Sequence, residues 1–167
     1  MLLRYVGYTL ADRMTLSEAT DTLKKFRRTP WKFQQTFLTP MQKLQSYVGV
    51  IVSASQQIKS GRVTIEQAVF EPKHLIELLT NYSLPLRYGC GVSLTANGRQ
   101  EVEPLLLSVF NDWVDFIFVP EPESFAIYAD HDEYTTLFAH TRSNLDGVVK
   151  ALADGGFEMI PDYQRRL

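Results

Sequence analysis

The stretch "ADHDEYTTLFAH", residues 129–140, brings three acids and two histidines together beside an apolar run. Those residue types can ligate a metal, move a proton, present negative charge to a partner, or simply close a turn. The flanking runs "FAIYA" and "YTTLFA" read as the strands of a hairpin, with Asp130, His131, Asp132 and Glu133 as its loop. Pairing Ala129 with Tyr134 sets Phe125 opposite Phe138 and Ile127 opposite Thr136. Asp and His accept turn geometries that β-branched residues resist, so turn formation alone accounts for much of this composition.

A metal centre needs at least three converging ligands. At ~3.3 Å per residue His131 and His140 lie about 20 Å or more apart along one strand, so they cannot share an ion. The calcium-loop pattern, with its central glycine and distant glutamate, is absent. No metal and no cofactor are implied. Acid–base chemistry would fall to His131 or His140 with an Asp or Glu partner. It requires burial or a like charge to move a pKa toward working pH, and a hairpin tip is usually wet. "GVSLT" lacks the spacing of a nucleophile elbow. "YGCGVS" lacks the third glycine and the Lys-Ser/Thr ending of a phosphate loop.

Two charge patterns remain. Residues 1–75 contain 11 Lys/Arg and 5 Asp/Glu, whereas residues 76–167 contain 6 and 14, a gradient hidden by the net charge of −2. The basic run Lys24, Lys25, Arg27, Arg28 and Lys32, with Trp31 and Phe33 beside it, combines phosphate-neutralising charge with stackable rings, as nucleic-acid binding requires. The acidic string is longer: Asp112, Asp115, Glu121, Glu123, Asp130, Asp132, Glu133, Glu158 and Asp162. Gathered on one edge, these carboxylates would steer a cationic macromolecule.

The expected function is therefore a non-catalytic protein-binding module, of the kind a bacterial immunity or antitoxin protein represents, holding a basic protein partner such as a nuclease toxin. Asp130, Asp132 and Glu133, supported by Glu121, Glu123 and Tyr134, are the expected contacts. The alternatives are a small His/Asp/Glu acid–base enzyme and a nucleic-acid accessory protein using the basic helix.

The positioning elements follow from periodicity. A chain of 167 residues fits one domain spanning 1–167. The lone Cys90 points to a reducing compartment, the cytoplasm by default. The opening "MLLRYVGYTLADRM" fits no secretory leader, and no apolar run is long enough to span a membrane.

Residues 2–8 read as a short strand, and Thr15 with Glu18 as a capping box opening a helix over 15–27. Thr39-Pro40 starts a second helix running to Gly61, although "VGVIV" could equally make a strand through 47–52. A third cap is suggested by Thr64 and Gln67, with a short helix after Pro72. Asn97-Gly98 closes an extended segment, and the helix carrying Val102 to Trp113 follows. Last come "DFIFVP" stopped by Pro120, the hairpin, a helix capped by Ser143 with Asp146 and stopped by Gly155 and Gly156, and the strand "FEMI". The expected fold is α+β, with a mostly helical N-terminal half followed by a small antiparallel sheet in β-β-β-α-β order.

Overall fold

A computed structural model describes residues 13–55 and 57–167; the strand expected at 2–8 lies outside them. Its frame is one eight-stranded sheet in which every pairing is antiparallel, with the order β1-β4-β3-β5-β6-β7-β2-β8. In chain order the elements are β1 (Thr15–Glu18), α1 (Thr20–Arg28), β2 (Phe33–Leu38), α2 (Leu44–Ala54), β3 (Ser60–Ala68), α3 (Lys73–Asn81), β4 (Val92–Asn97), α4 (Gly98–Asn111), β5 (Val114–Glu121), β6 (Ala126–Ala129), β7 (Tyr134–Ala139), α5 (Arg142–Asp154) and β8 (Met159–Ile160). Helices and strands thus interleave along the whole chain. The expectation of a helical first half and a small C-terminal sheet is wrong: three of the eight strands come from the first 68 residues.

The reason lies in those three strands. The Thr15/Glu18 pair does not cap a helix. Thr15 faces Thr95 and Glu18 faces Val92 across the β1–β4 ladder, and α1 begins after Ala19 with no side-chain cap. Backbone pairing with a strand some 80 residues away outweighs a local capping signal of about 1 kcal/mol. β3 alternates Val63 and Ile65, both buried, with Arg62 and Thr64, the period-2 signature of a strand. Thr64 consequently caps nothing; its hydroxyl meets that of Ser93 at 2.8 Å inside the sheet. Gly61 belongs to this strand rather than to a helix stop, because a Cβ there would lie 2.5 Å from the Phe118 ring. Helix α2 ends at Ala54, and "VGVIV" is helical. The caps expected at Thr39 and Ser143 also shift. Thr39 bonds Thr135 hydroxyl to hydroxyl at 2.7 Å, and Thr141 caps α5 by accepting from the Asn144 N–H. Strand β5 runs one residue past Pro120, and of the two stop glycines only Gly156 has a left-handed φ, +81°.

The sheet's two faces are covered unequally. Phe37, Val63, Leu94, Phe116, Phe118 and Leu137 point toward α2, α3, α4 and α5 and join their apolar stripes in the main core. Among the described residues α1 is the one helix on the opposite face; its Leu23 and Phe26 pack on Ile117, Ala126 and Phe138 in a smaller cluster, and Arg165 of the segment after β8 lies over Tyr128 beside it. That second face, otherwise polar, holds most of the side chains with chemical potential. Among the described residues the outermost strands are short, four residues in β1 and two in β8.

The hairpin differs from expectation by one residue. Ala129 faces Thr135 and Ile127 faces Leu137, so the loop has three residues, closed by Asp130 N–H donating to Tyr134 O at 3.1 Å. Glu133 takes the left-handed conformation that such a loop needs, with φ 68°. Because side chains alternate, a one-residue shift exchanges the faces of every partner. Phe138 thereby lies opposite Ala126 and under α1, away from Phe125 in the main core.

Candidate functional site

The α1 face has two chemically distinct ends. At the hairpin end, Asp130 is a structural hub. One of its carboxylate oxygens accepts from Asp132 N–H (2.9 Å) and Tyr134 N–H (3.2 Å), which shapes the turn. The other meets Arg165 Nη1 at 2.8 Å, in a pair whose side chains are only 13% and 9% exposed. Arg165 also donates from Nε to Thr136 Oγ1 (2.9 Å) and lies 4.4 Å over the Tyr128 ring. The Tyr128 hydroxyl donates to Glu66, which also accepts from Arg27. Burial first, and then the negative charge of Asp115, pushes the Tyr128 phenol above its ordinary pKa.

Asp115, buried at the start of β5, accepts from both the backbone N–H and the ring of His131, at 2.7 and 2.8 Å. That hydrogen bond favours the imidazolium and raises the His131 pKa above its ordinary 6.5, against a smaller opposing effect of burial. The Asp115–His131 pair resembles an acid–base couple in geometry, but its remaining ring nitrogen faces exposed Asp132 at 3.7 Å.

At the opposite end, α1 stands off the sheet and leaves a cleft of about 470 Å³. Ile117, Val119 and Phe26 give it apolar lining. Lys25 and Arg62 line it with positive charge, and Asp21, Glu121 and Glu123 with negative charge. Glu121 accepts from Ser60 Oγ at 3.0 Å. Among the described residues, none of these five charged side chains has an ion-pair partner within 4.0 Å. The volume lies within the range of binding pockets.

The expected acidic string is therefore divided. Asp112 and Asp115 are buried, and Asp130 is neutralised by Arg165. Asp132 and Glu133 stay exposed at the tip, while Glu121 and Glu123 stay exposed at the cleft. Glu121 lies six residue steps along β5 from Asp115, about 20 Å at the rise of a strand. Tyr134 is not a bare anchor, since its ring packs on Tyr163 with centroids 4.8 Å apart.

The basic run is partly engaged as well. Arg27 pairs with Glu66; Trp31 stacks on His140 at 4.6 Å and bonds Phe26 O; Phe33 lies under Arg142. Stackable rings for a nucleic acid are thus already in use, although Lys24, Lys25 and Arg28 are exposed. In "YGCGVS", Cys90 is exposed and Gly91 serves packing, because a Cβ there would lie 2.9 Å from Thr20.

Three contributors were not legible in the sequence. Glu66, Arg165 and His74 find partners 29 to 131 residues away, with no local motif to mark them. His74 meets Asp112 at 2.6 Å, and the same carboxylate accepts from the His74 and Leu75 N–H groups, serving α3 as a cap.

Among the described residues no group of three or more His, Cys, Asp or Glu is placed to hold a metal ion, and no helix is long and apolar enough to cross a membrane. No protein-family model matches the chain, and neither a curated protein nor a solved structure matches it.

Proposed function

We propose that the protein is a binding module that docks a basic protein partner on the α1 face of its sheet, in the manner of an immunity or antitoxin protein blocking a cationic toxin. The observation that carries this reading is the α1 cleft, where Asp21, Glu121 and Glu123 stand beside apolar lining without ion-pair partners among the described residues. A partner's lysine or arginine could lay its methylene stem on Ile117 and Val119 while its charged end meets a carboxylate. Lys25 and Arg62 would select against a uniformly cationic segment and favour one of mixed charge. The exposed, unpaired Cys90 suits a reducing compartment such as the cytoplasm.

The test is affinity capture from native lysate across a salt series, with wild type beside the double variant Glu121→Lys/Glu123→Lys. A basic protein retained in stoichiometric amount, released by salt and lost from the variant, is the expected result. Equal retention by both proteins, or retention of no basic protein, refutes the reading. A second reading, proton transfer by His131, is favoured by its hydrogen bonds to Asp115. Against it, His131 is not among the residues lining the cleft, so nothing at that cleft brings a substrate to its ring.

A further inference from the structure

The segment that follows β8, residues 161–167, has no helix or strand, yet Arg165 is held much as a receptor holds a ligand. Gln34 grips its main chain reciprocally: the amide oxygen accepts from Arg165 N–H at 2.8 Å, and the amide nitrogen donates to Arg165 O at 3.1 Å. The guanidinium then enters a pre-set pocket. Asp130 is fixed by two backbone donors of its own turn, Tyr128 is fixed by Glu66, and Thr136 is bonded to Thr36 at 2.8 Å. Tyr128, Glu66, Thr36 and Thr136 belong to the sheet and Asp130 to the turn joining β6 and β7, so the pocket is built from residues outside the segment that supplies the cation. The neighbours of Arg165 in the segment, Gln164 and Arg166, are exposed, which leaves Arg165 and Tyr163 as its two anchoring side chains.

We propose that this pocket is a recognition site for an arginine on an extended segment of the basic partner, occupied in the free protein by the chain's own Arg165. The source of the incoming arginine rests on the docking proposed above; the pocket itself does not. Selectivity follows from the contacts. Nη1 to Asp130, Nε to Thr136 and the planar group over Tyr128 use a fork that an ammonium cannot reproduce. An uncompensated carboxylate as buried as Asp130 is unfavourable, so the pocket demands a cation once its own is withdrawn. Binding of the partner would exchange one arginine for another and free residues 161–167.

The experiment uses the full chain and a synthetic peptide with the sequence of residues 162–167, compared with the same peptide carrying lysine at the position of Arg165. The peptide should bind Arg165→Ala about tenfold or more tighter than wild type, and the lysine peptide correspondingly weakly. Adding Asp130→Asn should abolish binding. Arg165→Lys, which keeps a cation in the pocket, provides a folded host if the alanine variant unfolds, and the arginine peptide should bind it more tightly than wild type. In wild type, saturating peptide should speed amide hydrogen exchange across 161–167. Absence of peptide binding to both Arg165 variants, or binding indifferent to Asp130, overturns the pocket. Reciprocal exchange of residues 161–167 between two copies, seen as a concentration-dependent dimer of wild type, overturns the partner as occupant. Peptide binding without any captured basic protein leaves the pocket standing and removes only the docking reading.

Discussion

The two ends of the α1 face contain similar side chains put to opposite use. At the hairpin end Asp130, Asp115 and Glu66 are each committed to a cation or donor within the protein, so an outside cation reaches Asp130 only by taking the place of Arg165. At the cleft end Asp21, Glu121 and Glu123 have no such cation among the described residues, and the concavity lies between α1 and β5. A carboxylate's availability is therefore decided by what folds against it. Of the acids on this face, Asp130 and Asp115 are covered by Arg165 and His131, while Glu121 and Glu123 reach solvent.

This contrast can be broken experimentally. The largest effect should come from Asp130→Ala, which leaves Arg165 almost wholly buried without its carboxylate and should cost about 3 kcal/mol in urea unfolding. Should that substitution prove nearly neutral, the hairpin-end network is not integral to the fold. Next, Gly61→Ala would press a methyl into the Phe118 ring in the strand that carries Ser60 and Arg62 to the cleft. A loss of about 1–2 kcal/mol is expected, without change in the denaturant slope.

The Asp115–His131 pair gives a pH-dependent signature. Because its pKa is raised in the folded protein, His131 contributes stability that is complete below pH 6.5 and disappears as pH climbs through the folded-state value. An NMR titration should place that value above 6.5 in wild type and closer to 6.5 in Asp115→Asn. Identical titrations would mean that the carboxylate does not govern the imidazole. The smallest effect on stability should come from Glu121→Lys/Glu123→Lys, within about 0.5 kcal/mol of wild type, since these exposed groups support no ion pair among the described residues. A large loss there would erase the distinction between the two ends.

Part of this was readable beforehand. The helix bearing Val102, Leu105, Leu106 and Val109, the helix after Pro72 and the hairpin all occur where periodicity and turn residues place them. The hairpin register was missed by one residue because Glu133 adopts a left-handed φ that its side chain does not advertise. β1 and β2 were missed because "TLSE" and "FQQTFL" become strands by pairing with β4 and β7, roughly 80 and 100 residues away. β3 showed its alternation openly in Val63 and Ile65, but Thr64 and Gln67 read more readily as a cap.

The residue pattern by itself determined an α+β chain with an aromatic-rich apolar content, the existence of its helices though not the bounds of α1 and α2, and the placing of a polar turn at 130–133. Only the tertiary structure decided which strands join the sheet, which face each side chain takes, and which charges are left over. Helical period and turn chemistry act over a few residues and are written locally. Strand pairing and charge compensation act through space, and Arg165 reaches Asp130 only because the folded sheet brings the segment after β8 back across it.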